Sequence, residues 1–167
     1  EVTLYSFKFL VNNRQYWLSS SGISPYFPER DLHFHFNPHY QPAKWVYSQV
    51  FYQIFPERFY DGNPDNNVTE GEYLYGGKPV VAKAWGELPQ RKQGPREFYG
   101  GDLAGIEQKI PYLQELGVTA LYLNPIFESP SSHKYDTMDY YRIDPHFGSN
   151  EDFARLCQKL HEQNMRI

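Results

Sequence analysis

The polar segment over residues 133–148 holds the side chains whose types and spacing are best suited to chemistry. It reads HKYDTMDYYRIDPHFG and follows an apolar run, residues 118–123, that ends at an Asn-Pro pair. An apolar strand that stops there and enters a loop rich in His, Tyr, Asp and Arg is typical of the active-site edge of an α/β scaffold. Tyr135 offers a flat aromatic face for stacking on a ligand, and Asp136 offers a hydrogen-bond acceptor.

Each of these side chains also has a structural interpretation. In that interpretation Tyr135 would pack against the protein, and Asp136 would only pair with Arg142. Glu128 is predicted to support the loop rather than to act as an acid. A catalytic pair of an acid and a nucleophile would need a second carboxylate about 5.5 Å away, and nothing in the sequence places one there. Other residues of the segment are predicted to be structural, namely Asp139, Arg142, Asp144, His146, Phe147 and Gly148.

An Asp/Asn-rich run over residues 61–67, DGNPDNN, is a second candidate site. Its Asp and Asn side chains offer oxygen ligands, and calcium takes six to eight such oxygens. The spacing is not that of an EF-hand, and a hydrated turn remains the alternative. A Gly-Gly-Asp triplet, residues 100–102, follows later, and Asp102 is predicted to cap a helix or to join the calcium site. A phosphate site there is not favoured, because the Lys-Ser/Thr of a phosphate-binding loop is absent.

Composition excludes several classes of protein. The formal net charge is −4 and no basic stripe is present, which disfavours nucleic acid as a partner. No run approaches 18 apolar residues, so no membrane partner is expected. The single cysteine, Cys157, excludes an internal disulfide and falls on the apolar side of a predicted helix.

The chain is predicted to contain parts of two domains, residues 1–42 and 43–167. Residues 4–11 alternate between apolar and polar positions, residues 15–18 return after an Asn-Asn turn, and residues 32–36 make a third strand. Three strands without a helix signal indicate the end of an all-β sandwich, and residues 37–42 read as a linker.

From residue 43 the pattern changes to alternating strands and helices. Strands are predicted over residues 50–55 and 118–123, with a third beginning at Met165. Helices are predicted over residues 103–116, with a kink or a break at Pro111, and from Ser149 or Asn150 to Gln163. This order predicts an α/β fold, the first two βα units and the start of strand three of a (β/α)8 barrel. Residues 60–97 are predicted to be a long polar loop.

Four stretches together resemble the α-amylase family of glycoside hydrolases: VFYQIFPERF, FYGGDLAGI, GVTALYLNPIF and HKYDTMDYYRIDPHFGS. More narrowly they are similar to the maltodextrin glucosidase, neopullulanase and cyclomaltodextrinase branch. The resemblance implies a TIM barrel preceded by a carbohydrate-binding-like β-sandwich. It also implies hydrolysis of α-1,4 bonds in maltodextrins or cyclodextrins with retention, through a covalent glycosyl-enzyme and general-acid protonation of the leaving oxygen.

The resemblance also implies roles for individual residues of the polar segment. Tyr135 would stack on the sugar just before the scissile bond, His133 would lie near the same ring, and Asp136 matches branches that act near the non-reducing end. The catalytic Asp, Glu and Asp follow strands four, five and seven in the family, beyond Ile167. We therefore expect residues 1–167 alone to be inactive.

The resemblance to this family also implies a calcium site. Its ligands would be Asp61, Asn63, Asn66, Asn67, the carbonyl of Gly100 and Asp102. Positions that are often Asp in relatives are Asn63 and Asn67 here, which lowers the charge of the site and weakens the expected affinity.

Two other kinds of protein remain alternatives, a non-catalytic amylase-like barrel and a carbohydrate-binding module centred on residues 4–36. The expected ligand is a maltooligosaccharide or a cyclodextrin. For the intact parent, a homodimer and a cytoplasmic location are expected. The chain opens within a predicted strand, without Met or a signal segment, so Glu1 is not expected to be the natural start.

Overall fold

The structure is a computed structural model that describes residues 2–167. The chain divides into two compact units, one ending at Tyr47 and the other beginning at Ser48. Within the described residues, no helix is long and apolar enough to cross a membrane.

The first unit is built from short antiparallel strands, which are Thr3–Tyr5 (β1), Phe7–Val11 (β2), Arg14–Ser19 (β3), Gly22–Ser24 (β4) and Phe34–Phe36 (β5). Strands β2, β3 and β4 form one sheet and β1 pairs with β5. The β2–β3 turn is made by Asn12 and Asn13, both at positive φ (48° and 61°), as a two-residue hairpin turn requires.

The strand predicted over residues 4–11 is interrupted at Ser6, which corrects the prediction. The residues before Ser6 pair with β5, whereas the residues after it pair with β3. At the interruption the Ser6 hydroxyl lies 2.9 Å from Nδ1 of His33. The alternating pattern could not reveal the break, because both halves are extended and only their partners differ.

The second unit alternates strands and helices. Its strands are Phe51–Ile54 (β6), Leu74–Tyr75 (β7), Lys78–Pro79 (β8), Val81–Ala82 (β9), Glu97–Phe98 (β10), Ala120–Leu123 (β11), Phe127–Glu128 (β12) and Asp139–Ile143 (β13). Its helices are Leu103–Gln108 (α1), Ile110–Glu115 (α2) and Asn150–Glu162 (α3).

Strands β6 and β11 run parallel in one sheet, as the sequence predicted, with Ala120 opposite Phe51 and Leu123 opposite Ile54. Arg166 adds a parallel bridge to Ala120 on the other side of β11. Two hydrogen bonds of 2.8 Å make that bridge, from Leu121 N to Arg166 O and from Arg166 N to Thr119 O. The predicted start of a third parallel strand is therefore present.

The helix boundaries follow the capping residues in the sequence. Asp102 caps α1 by accepting a hydrogen bond from Gly105 N, and α1 and α2 meet at Lys109, just before Pro111. Ser149 caps α3 in a reciprocal capping box with Asp152. Gly117 closes α2 with φ at 77°. The helices and the β6–β11 pair bury one apolar core, which includes Ile54, Leu103, Ile106, Leu113, Leu156 and Leu160.

Residues 60–97 are ordered by a small core of their own, and the prediction of a long loop is corrected. Strands β7 and β8 form a hairpin, and β9 pairs in parallel with β10. Val68, Val80 and Phe98 are buried together, with Tyr73 and Tyr75 packed against them. The strands are two residues long, which is too short to leave a periodic signal in the sequence.

Candidate functional site

Residues 129–138, which include the first part of the polar segment, form a loop between the paired strands β12 and β13, beyond the end of β11. The sequence predicted that the whole segment is a loop, but residues 139–143 form β13, which corrects that prediction. Phe127 lies opposite Ile143, and the base of the loop is closed by bonds from Met138 N to Glu128 O (2.8 Å) and from Asp144 N to Ile126 O (2.9 Å). Asn124, at the strand end, accepts from Nε2 of Gln53 at 2.7 Å. The ends of β6 and β11 are thereby joined beneath the loop.

Lys134 anchors the loop from below. Its side chain is fully buried, and Nζ lies 2.7 Å from Oδ2 of Asp144 and 3.0 Å from the Ser129 carbonyl. The ammonium also lies within 5.4 Å of the ring centres of Phe98 and Phe147. The backbone of Lys134 has a left-handed φ of 61°, so the chain turns sharply at this residue.

Tyr135, next to the buried Lys134, is 63% exposed, so within residues 2–167 it does not pack against the protein. The rings of His133 and Tyr135 lie 5.9 Å apart and are inclined at 39°. Nδ1 of His133 accepts from Tyr135 N at 3.1 Å, which fixes the imidazole beside the tyrosine. The structure thus places a half-buried His133 next to an exposed Tyr135.

Asp136 is held by hydroxyl groups and has no bond to Arg142, which corrects the alternative pairing. Its Oδ1 accepts from Ser129 Oγ at 2.6 Å and from Ser131 Oγ. Partial burial alone would raise the pKa of Asp136, but the hydrogen bonds from Ser129 and Ser131, with a smaller effect of Tyr75, outweigh it and hold the pKa at about 2. Asp136 is therefore ionised throughout the neutral and mildly acidic range.

Arg142 and Glu128 pair with each other, with Nη1 and Oε2 3.2 Å apart. This contact supports the prediction that both residues stabilise the loop.

Sequence reasoning missed the residues that surround Asp136 and Lys134. Ser129 and Ser131 stand close to Asp136 in the sequence, and their hydroxyls were a usable signal. A buried lysine was not foreseen, because lysine between two polar residues usually points to solvent.

The residues predicted to bind calcium form one cluster between residues 61–67 and the start of α1. Asp102 Oδ1 accepts from Gly62 N at 3.0 Å and from Gly105 N at 2.6 Å, and Asn67 Nδ2 donates to Asp61 Oδ2 at 2.8 Å. Gly100 (φ 84°) lies against Asn67, where a Cβ would approach Oδ1 to 2.4 Å.

Four oxygen atoms of this cluster are buried and have no hydrogen-bond partner among residues 2–167. They are Oδ1 of Asp61, Oδ1 of Asn66, Oδ1 of Asn67 and Oδ2 of Asp102. Burial and the charge of Asp61 raise the pKa of Asp102, although backbone N–H groups act in the opposite direction. Buried, unpaired oxygens close to two carboxylates have the chemistry of a site for a hard cation.

Asn63 is engaged differently from the other predicted ligands. Its Oδ1 accepts from Asp65 N at 3.4 Å, which caps the short turn over residues 64–66. Among residues 2–167, no group of three or more His, Cys, Asp and Glu side chains is placed to hold a metal. A cation here would therefore depend on amide and carbonyl oxygens as well as on the two carboxylates.

Glu57 supports the same region from the end of β6. Its carboxylate accepts from the backbone N–H groups of Tyr99 and, at 3.1 Å, of Gly100. Burial raises the pKa of Glu57 to about 7, against the opposing effect of these bonds. The turn before α1 is thereby attached to β6.

Comparison with known proteins identifies the family to which the chain belongs. The family described as Alpha amylase, catalytic domain, matches residues 53–167. The chain belongs to the α-amylase family.

Individual relatives and solved structures show which members of this family the chain is similar to. The chain is 41% identical over 172 residues to an intracellular maltogenic amylase of Bacillus subtilis, covering 98% of this chain and 27% of the relative. It is 44% identical over 128 residues to a cyclomaltodextrinase of Geobacillus thermopakistaniensis, covering 77% and 19%. Among solved structures it is similar to the cyclic α-maltosyl-(1→6)-maltose hydrolase of Arthrobacter globiformis in complex with maltose, with 38% identity and a TM-score of 0.63. That match covers 75% of this chain and 25% of the other. The chain therefore spans about a quarter of the length of these proteins.

Proposed function

We propose that the chain is the amino-terminal part of a longer retaining glycosidase that hydrolyses α-1,4-glucosidic bonds of maltodextrins or cyclodextrins. The observation that carries the proposal is the exposed Tyr135 ring next to Asp136, whose carboxylate is held by Ser129 and Ser131, on a loop that the α-amylase family match includes. Relatives named for maltogenic and cyclomaltodextrin hydrolysis, and a neighbour bound to maltose, support an α-glucan as the substrate.

Within that protein, residues 48–167 would form the first two βα units and the start of strand three of a (β/α)8 barrel. The parallel β6–β11 pair and the Arg166 bridge support this placement. Residues 1–42 would be the end of an all-β domain of the carbohydrate-binding kind. The "intracellular" in the names of two relatives supports a cytoplasmic location. A homodimer of the intact protein remains a proposal.

The chain's own residues would bind and orient the sugar. Tyr135 would stack on a pyranose ring, and Asp136 would accept hydrogen bonds from its hydroxyls. His133 would contact the same ring. With a pKa of about 2, Asp136 could not donate a proton to a leaving oxygen, and Glu128 is paired with Arg142. The carboxylates that cleave the bond would therefore come from outside residues 1–167.

We also propose a calcium ion held by Asp61, Asn66, Asn67, Asp102 and the Gly100 carbonyl. The four buried, unpaired oxygens support this ligand set. Asn63 would contribute only after releasing its bond to Asp65 N. The ion would stabilise the junction between β6 and α1 and would take no part in bond cleavage.

Hydrolysis assays on the full-length protein and on residues 1–167 test the proposal. The full-length protein should hydrolyse maltotriose or β-cyclodextrin, and proton NMR should show the α-anomer as the first product, as retention requires. Residues 1–167 alone should release no product above a buffer blank. Activity in the short chain would show that its own carboxylates are catalytic. A full-length protein that binds these sugars without cleaving them would contradict the proposed hydrolysis.

A further inference from the structure

His146 lies between two carboxylates that belong to different parts of the fold. Its Nδ1 lies 3.2 Å from Oδ1 of Asp144, just after β13, and its Nε2 lies 3.0 Å from Oε1 of Glu72, shortly before β7. Glu72 is itself fixed by Thr69, whose backbone N–H and hydroxyl donate to Oε2 at 2.8 Å and 3.2 Å. His146 therefore joins the hairpin segment, residues 69–80, to the end of the polar segment.

Only the protonated form of His146 can bind both carboxylates. An ionised carboxylate accepts hydrogen bonds without donating, and a neutral imidazole has a single N–H, so the neutral ring satisfies only one of the two contacts. The bonds to Asp144 and Glu72 raise the pKa of His146, although burial opposes them. On deprotonation the contact to Glu72 opens, because its side chain is 36% exposed and can turn to water, whereas that of Asp144 is 3% exposed.

The other titratable groups that face this site have partners of their own. Glu128 lines the same cavity and pairs with Arg142. Lys134 binds Asp144 from the opposite side, at Oδ2. Tyr73 donates its hydroxyl to a backbone carbonyl of the loop at 3.0 Å. Since that bond does not depend on the histidine, deprotonation loosens the hairpin segment without releasing it.

A continuous chain of hydrogen bonds leads from His146 to Asp136. Asp144 Oδ2 accepts from Ser129 N at 3.1 Å, and Ser129 Oγ donates to Oδ1 of Asp136 at 2.6 Å. The residue that holds the Asp136 carboxylate is thus itself held by the carboxylate that His146 binds. A change in the position of Asp144 is passed through Ser129 to Asp136.

We propose that His146 is a positioning residue for substrate binding that acts only when it is protonated. It then ties the hairpin segment to the loop and, through Asp144 and Ser129, fixes the carboxylate of Asp136. This inference rests on the proposed function, because it assumes that Asp136 binds the sugar. The affinity for substrate is therefore greatest while His146 is protonated and falls as the pH rises and the proton is lost.

Initial-rate kinetics of the full-length protein on maltotriose, from about pH 6 to about pH 8.5, test the inference. His146→Gln cannot donate from two separate atoms and should resemble the deprotonated form at every pH. Its KM should be about 3–10-fold above that of wild type at pH 6, the effect of one net hydrogen bond, and within about twofold at pH 8.5. The kcat ratio should stay within about twofold, because ionisation of the catalytic groups affects both proteins alike. His161→Gln, at an exposed histidine in the last turn of α3, is the control and should match wild type throughout.

Variants of Glu72 separate the hydrogen bond from the charge. The amide introduced by Glu72→Gln can accept from the protonated ring and can donate to the neutral one, so the contact survives deprotonation. KM in Glu72→Gln should therefore stay near the wild-type value of pH 6 across the whole series. Glu72→Ala should raise KM at pH 6 about as much as His146→Gln does.

A double-mutant cycle tests the path to Asp136. Ser129→Ala removes the hydroxyl that binds Asp136 and keeps the backbone N–H that binds Asp144. In that background His146→Gln should cause no further rise in KM at pH 6. Ser20→Ala, at a hydroxyl that binds the Leu32 carbonyl in the first unit, is the control background and should preserve the full effect.

Each other result overturns the inference. A KM ratio of His146→Gln to wild type that is constant with pH, or the same pH dependence in Glu72→Gln and wild type, would exclude a proton-dependent role of His146. A full effect of His146→Gln in the Ser129→Ala background would exclude action through Asp136. Parallel losses of kcat and melting temperature at every pH would assign His146 a purely structural role. A wild-type protein that neither binds nor hydrolyses maltotriose would refute the proposed function and this inference with it, whereas a constant KM ratio in an active enzyme would refute only the inference.

Discussion

The ammonium of Lys134 lies 2.7 Å from Oδ2 of Asp144, and both side chains are buried. The two residues stand at opposite ends of the polar loop, so the ion pair closes the loop from beneath. Burial would raise the pKa of Asp144, but bonds from His146, Lys134 and the Ser129 backbone hold it below its ordinary value. Next to the inward-pointing Lys134, Tyr135 is exposed and His133 is half-buried.

Removing one partner of this buried pair should be costly. Lys134→Met leaves the buried Asp144 without its cation, and breaking such a pair costs about 3–5 kcal/mol of unfolding free energy. Urea denaturation of the full-length protein at neutral pH measures the loss. Lys159→Met is the matched control, since Lys159 pairs with Glu107 while 48% exposed, and such surface pairs contribute about 0–1 kcal/mol. Equal costs for the two variants would contradict the anchoring role of Lys134.

His146 should make stability depend on pH near neutrality. A bond to Asp144 raises its pKa, burial opposes the change, and Glu72 adds to it. A raised folded-state pKa means that the stabilisation is complete below about pH 6.5 and is lost as the pH rises through the folded-state value. The difference in unfolding free energy between wild type and His146→Asn should therefore shrink from about pH 6 to about pH 8.

The Glu72→Gln variant checks the origin of that dependence. It removes one of the two acidic partners of His146, so the folded-state pKa of the histidine should lie closer to its ordinary value. The stability loss should therefore be smaller and should be complete at a lower pH than in the wild type. Denaturation curves of both variants across the same pH series provide the measurement. A difference that stays constant with pH would exclude titration of His146 as the cause.

Calcium should stabilise the full-length protein. At about a hundred times Kd a ligand that binds only the folded state contributes about 2.7 kcal/mol, which a rise in melting temperature reports. Asp61→Ala should abolish that rise, because Asp61 supplies a buried, unpaired oxygen. Asp65→Ala is the control, since the exposed Asp65 lies in the same run outside the cluster. The same calcium response in Asp61→Ala and in wild type would refute the site.

Tyr135 should contribute to substrate binding by stacking. Tyr135→Ala removes the aromatic face and should lower kcat/KM on maltotriose roughly 10–100-fold, the scale of about 1–3 kcal/mol for a lost contact. Tyr141→Ala removes an 89% exposed tyrosine from the adjoining strand β13 and should leave kcat/KM near that of wild type. If both variants fold and keep wild-type kinetics, the loop has only a structural role.

Local interactions allowed the sequence by itself to determine the caps, the turns and the order of strands and helices. Ser149 and Asp102 cap helices, Pro111 divides one, and Asn12-Asn13 turns a hairpin, because each effect needs only neighbouring residues. The alternation of strands and helices likewise predicted the parallel pairing of β6 with β11. The resemblance to a family added the candidate ligands and the exposed Tyr135.

Tertiary structure alone decided which side chains meet across long sequence separations. The burial of Lys134 against Phe98 depends on the packing of residues 60–97. That segment folds around a few apolar side chains and strands two residues long, which leave no periodic pattern. Tertiary structure also decided that Arg142 pairs with Glu128 and not with Asp136. Either carboxylate is within reach by sequence, and only the register of β12 on β13 chooses between them.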